Sequence, residues 1–161
     1  MTLRPRLEER RRYERPHVLI ISDDPSLASF LAEGLPMGGF WTSVIASGLQ
    51  ALEVFRLRQF DIVVIDWDLQ SFEAPELLRR LRGQSSRDAS ATPRTRAPVV
   101  LVSEQPIALE DEERRRLGIE ALLHAPLELD DVVRELHAVF DAWRRDHPDA
   151  PLADASSRFS R

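Results

Sequence analysis

Short apolar runs of β-branched character alternate along this chain with longer segments whose apolar residues recur at helical spacing. His17 to Ile21 is the first run, ended by Ser22-Asp23-Asp24-Pro25. Asp24 before Pro25 predicts an N-cap with proline at the first helical position. The helix that follows places Leu27, Phe30, Leu31 and Leu35 on one face. Trp41 to Ala46 predicts a second strand, after which Ser47 caps a helix with Ala51, Leu52 and Phe55 inward. Asp61 to Asp66 is the most strand-like segment, and a helix from about Pro75 to Arg82 follows it. Val99 to Val102, entered through Pro98, predicts a fourth strand. A polar helix spans roughly Leu109 to Leu117 and stops at Gly118. Ile119 to Leu123 forms a fifth strand, and a last helix carries Leu129, Val132, Val133, Leu136, Phe140 and Trp143 along one stripe.

Five strands alternating with five helices predict an α/β fold whose parallel sheet is covered by helices on both faces. Right-handed crossovers leave few topologies, and a flavodoxin-like doubly wound sheet of order 2-1-3-4-5 is the default. The domain is expected over 17–145. Three segments stand apart: an Arg-rich arm over 1–16 with Glu8, Glu9 and Glu14, a long flexible loop over 83–97 containing Pro93, and a disordered tail over 146–161.

Composition narrows the classes. A chain of 161 residues with 43% hydrophobic and 30% charged residues has the makeup of one ordinary globular domain. No run of eighteen apolar residues occurs, and the Arg-rich start lacks the apolar stretch of a signal peptide. A cytoplasmic location without membrane insertion is therefore expected. The absence of Cys excludes disulfides and thiolate chemistry. A net charge of -5 argues against nucleic acid as a partner. All 22 basic residues are Arg, so no lysine amine is available to any mechanism.

The candidate chemistry lies at strand ends. Asp23 and Asp66 each terminate a strand expected near the middle of the sheet, at the rim where ligands of open α/β sheets bind. Two carboxylates from two strands could hold a hard divalent cation and leave one oxygen free as a nucleophile. The Asp68 carbonyl, the Ser103 hydroxyl and the turn His124-Ala125-Pro126 are expected at the same rim. Trp67 and Trp143 read as packing residues, with covering the pocket or meeting a partner as the alternatives for Trp67 at the rim. Arg114-Arg115-Arg116, following Glu110 to Glu113, reads as a solvated face paired at helical spacing.

Over roughly His17 to Phe140 these pieces resemble the receiver domain of bacterial two-component response regulators, the CheY-like family. Ile20-Ile21-Ser22-Asp23-Asp24-Pro25 resembles the acidic-pair turn, and Val64-Ile65-Asp66-Trp67-Asp68-Leu69 the phosphoacceptor segment. Pro75 to Arg82 resembles the helix after it. Pro98 to Ser103 resembles the strand ending in a hydroxyl, and Leu117-Gly118 with Leu122 to Leu127 the final strand and its Lys-Pro turn. The resemblance implies acyl phosphate formation on Asp66 with Mg²⁺ as cofactor. It makes Asp23, Asp66 and the Asp68 carbonyl metal ligands, and Ser103 a hydrogen-bond partner of the phosphoryl group.

The departures are as specific as the matches. Ser22 stands where the first acidic residue belongs, with Asp24 beside it as a substitute ligand. Ala125 stands where the lysine belongs, which removes a charge-assisted hydrogen bond of about 1.5–3 kcal/mol. Glu104 replaces a small residue, Leu122 the switch aromatic, Ala74 a glycine and Gln70 a proline. The expectation is a stand-alone, non-enzymatic signalling module with phosphorylation at Asp66 weak or absent. Its partner is expected to be a histidine kinase or a downstream effector bound through 109–143, and a homodimer is a further option. The alternatives are an ordinary Mg²⁺-dependent receiver phosphorylated on Asp66 and, more remotely, an Asp-x-Asp phosphatase using Asp66 and Asp68. Against the phosphatase, its motif normally opens the fold, and no lysine exists for the later cationic role.

Overall fold

The computed structural model describes residues 15–89 and 91–153. In chain order the elements are β1 (His17–Ile21), α1 (Pro25–Gly34), a short 3-10 turn (Leu35–Gly38), β2 (Trp41–Ile45) and α2 (Gly48–Val54). There follow β3 (Ile62–Asp66), α3 (Ala74–Leu81), β4 (Val99–Ser103), α4 (Asp111–Arg116), β5 (Ile119–His124) and α5 (Leu129–Asp146). The strands form one parallel sheet in the order β2-β1-β3-β4-β5, the flavodoxin-like order expected from the alternation.

The central strands read as unbroken apolar runs because both of their faces are covered. Leu19, Ile21, Val63, Ile65, Val99 and Leu101 pack on the side of α2 and α3. The alternate residues Val18, Ile20, Ile62, Val64, Val100 and Val102 pack on the side of α1 and α5. Register then sets the functional rim: Ile21 pairs with Ile65, Asp66 with Val102 and Ser103 with His124. The C-terminal ends of β1, β3, β4 and β5 thus open on one edge.

Several local expectations hold at the atomic level. Asp24 caps α1, its side chain accepting from the Ser26 and Leu27 amides, and Ser47 caps α2 through the Gln50 amide. Other details differ. Phe30 is 37% exposed, because the inward stripe of α1 is Ala28 and Leu31 flanked by Leu27. Leu35 is buried but belongs to the 3-10 turn. Leu109 lies before α4 and packs against the core from a loop.

The 83–97 segment carries no helix or strand among its described residues, yet it is tied to the body of the domain. The Arg94 amide donates to the Leu81 carbonyl at 2.8 Å, and the Ser85 hydroxyl donates to Glu76. Arg82 reaches under the sheet edge. Its guanidinium donates to the carbonyls of Leu117 (2.8 Å), Thr95 (2.9 Å) and Ala97 (2.6 Å). Burial there pushes its pKa down to about 10.

The tail expected to be disordered behaves differently over its described part. Leu152 packs against the α5 side of the core, and the Ala153 amide donates to Asp61 at 2.9 Å. A buried carboxylate at the sheet end gives that stretch an anchor which polar composition does not reveal. Residues 1–14 of the arm and 154–161 of the tail lie outside the described residues.

Candidate functional site

The rim at the C-terminal strand ends encloses a cavity of about 390 Å³. Asp23, Asp24, Asp66, Asp68, Gln70, Ser103, Glu104 and Ala125 line it, with Leu27 and Val102. Five of these residues are carboxylates and none is basic. The turn after β1, the end of β3 and the turns after β4 and β5 therefore bring the expected residues to one place. Of the turn after β5 only Ala125 is among the lining residues, and Leu122, in the place of the switch aromatic, packs half-buried against the core on the α2 and α3 side.

Asp66 is held there as the last residue of β3, only 6% exposed. One carboxylate oxygen, Oδ2, accepts the Ser22 hydroxyl at 2.8 Å. The other accepts the Asp68 amide at 2.9 Å. Burial pushes the Asp66 carboxyl above its ordinary pKa. The Asp68 amide and the Ser22 hydroxyl oppose that shift, while the charges of Asp68 and Asp23 add to it.

Ser22 is itself 2% exposed and also accepts the Asp24 amide at 3.1 Å. A carboxylate in its place would face Asp66 as a like charge and call for a bridging cation. A hydroxyl satisfies Asp66 without one.

Asp23 commits one of its carboxylate oxygens to the backbone. Its Oδ2 accepts the backbone amides of Gln70 and Ser71 at 2.9 and 3.0 Å. The Gln70 side-chain amide in turn donates to the Asp68 carbonyl at 3.0 Å. Asp68 accepts the Glu104 amide on its side chain at 3.2 Å. Gln70 thus closes the β3–α3 loop from two directions, a role invisible in sequence because it depends on where the Asp23 side chain points.

The Ser103 hydroxyl is engaged within its own turn. It donates to the Gln105 carbonyl at 2.6 Å and accepts the Gln105 amide at 3.1 Å. Ala125 donates its amide to the Ser103 carbonyl and precedes a cis bond to Pro126. Its methyl group puts no charge into the cavity. Trp67 is half-buried and packs against the core, as its packing reading required.

Mg²⁺ requires near-octahedral oxygen coordination at about 2.0–2.1 Å. Here Asp23 Oδ2, Asp66 Oδ2 and the Asp68 carbonyl each already accept a protein hydrogen bond. Among the described residues, no three or more His, Asp or Glu side chains are arranged to hold a metal ion. This donor set does not fit a tightly held Mg²⁺.

Comparison with known proteins gives the lineage. The model of the response regulator receiver domain matches residues 18–137. The DNA-binding response regulator MtrA of Mycolicibacterium smegmatis is 39% identical over 71 residues, 44% of this chain and 31% of MtrA. Sensory transduction protein RegX3 of Mycobacterium tuberculosis is 28% identical over 122 residues, 76% of this chain and 49% of RegX3. The chain thus spans at most about half the length of these curated relatives. The Francisella response regulator 1452 receiver domain superposes with a TM-score of 0.65 at 24% identity, over 80% of this chain and 99% of that one, and shares its fold. With the family model covering most of its length, and the sheet order and acidic rim in agreement, the chain belongs to the response regulator receiver domain family of two-component signalling.

Proposed function

We propose that this chain is a receiver-type signalling module that acts by protein–protein contact, with phosphorylation on Asp66 weak or absent. The observation that carries the proposal is the hydrogen-bonded closure of the acidic pocket. Ser22 occupies Oδ2 of Asp66, the Gln70 and Ser71 amides occupy Oδ2 of Asp23, and no basic residue lines the cavity. A phosphoryl donor brings further negative charge to such a site. Each uncompensated like-charge pair at about 4 Å costs on the order of 4 kcal/mol at an effective dielectric constant of about 20.

Signalling without turnover makes the module a non-enzyme whose output is a binding surface. Residues 109–143 are the surface proposed for a kinase or effector, or for a second copy of the chain. Within it, α4 buries none of its side chains and runs from Asp111, Glu112 and Glu113 to Arg114, Arg115 and Arg116. No helix among the described residues is long and apolar enough to cross a membrane.

Titration with Mg²⁺, followed through the tryptophan emission of the chain, to which Trp67 next to Asp66 contributes, tests the closure. The expected result is no saturable change in wild type. A saturable response lost in Asp66→Asn overturns the proposal in favour of a Mg²⁺-dependent phosphoacceptor.

A further inference from the structure

The pole of the sheet opposite Asp66 carries a second buried carboxylate that the pocket chemistry does not use. Asp61 directly precedes β3 and is 6% exposed. Its Oδ2 accepts the His17 amide at 2.7 Å, fastening the start of β1. Its Oδ1 accepts the Ala153 amide at 2.9 Å, fastening a segment that has already left α5.

Between α5 and that anchor the chain makes few contacts of its own. His147 stacks on Trp143 with ring centroids 4.3 Å apart, and the Ala150 amide donates to the His147 carbonyl. Leu152 packs on the α5 side of the core. With Phe140 and Arg144 it also lines a cavity of about 650 Å³. Beyond His147, which stays bonded to the Trp143 carbonyl at the end of α5, the polar anchor is thus one hydrogen bond and the apolar anchor one leucine, set beside Phe140 on the α5 side of the core.

We propose that residues 147–153 are a displaceable strap, an autoinhibitory cover that a partner docking on the end of α5 has to lift. A cover of this kind needs a weak, local attachment, so that lifting it leaves the domain folded. Asp61 supplies one by keeping its bond to β1 whether or not the strap is seated. The strap deepens the reading of 109–143 as an interaction surface. Its seating is measured without a partner, so its failure leaves that reading standing.

Two substitutions in the full chain release the strap by independent routes. Ala153→Pro removes the amide that Asp61 holds, and Leu152→Ser removes the apolar contact. In a Trp41→Phe, Trp67→Phe background, acrylamide quenching reads Trp143 alone. Both substitutions are expected to raise the quenching constant severalfold and shift the emission to the red. The thermal midpoint should stay within about 4 °C of the parent. Unchanged quenching in both variants overturns the proposal, because the segment then covers nothing. A much larger drop in midpoint in both also overturns it, because the segment is then part of the cooperative fold and not a strap.

Discussion

At the scale of single residues, the site is decided by which hydrogen bond each carboxylate accepts. Asp66 is pushed above its ordinary pKa by burial, and the Ser22 hydroxyl is one of the groups restraining that rise. Ser22→Ala is therefore expected to move the Asp66 pKa further up, as read by carboxyl chemical shifts in an NMR titration. An unchanged value would show that the 2.8 Å contact carries no weight. Because the folded pKa of Asp66 lies above its unfolded value, its contribution to stability declines as pH rises through that interval and recovers below it. Glu76 has the opposite sign. The Ser85 hydroxyl, ahead of Arg80 and Arg79, holds its carboxyl below the usual value against the opposing effect of burial. Its stabilisation is present above the ordinary glutamate pKa and fades as pH falls through the lowered one. Glu76→Gln should cost about 1–3 kcal/mol at neutral pH, a difference that shrinks in acid, measured by urea unfolding at both pH values.

At the scale of elements, α3 shows how one helix end organises its neighbours. Arg82 gathers the carbonyls that lead into β4 and β5. Gly118 beside it has φ +67, and an added Cβ there would lie 2.5 Å from an Arg82 nitrogen. Arg82→Ala should destabilise the domain by about 3 kcal/mol, the scale of losing charged donors from buried carbonyls. Arg82→Lys should recover little, because an ammonium lacks the planar fork. Urea unfolding midpoints check both, and full rescue by lysine would contradict the geometry. The strands, the Asp24 and Ser47 caps and the glycine stop after α4 were legible in sequence because each follows from local spacing and chemistry. The Arg82 fork, the Asp61 anchor and the Gln70 closure were not. Each joins residues 13 or more positions apart, and only the folded register brings them together. The same limit explains Ser103, whose hydroxyl stands at the expected strand end but points into its own turn.

At the scale of the whole molecule, the two poles of one parallel sheet have taken different roles. The C-terminal rim keeps the acidic residues of a receiver, satisfied from within by amides and a hydroxyl. The N-terminal pole anchors the strap through Asp61. On the proposed reading, a module built this way signals by the surface it presents. Restoring the two departures together, Ser22→Asp with Ala125→Lys, should return the missing carboxylate of the acidic pair and a cation to the rim, and with them Mg²⁺-dependent modification of Asp66 detectable by mass. The wild-type chain tests the central claim most directly. Incubated with acetyl phosphate and Mg²⁺ and followed by intact-mass spectrometry, it should show no phosphoryl adduct above the Asp66→Ala background. A substantial adduct present in wild type and absent from Asp66→Ala would contradict the account.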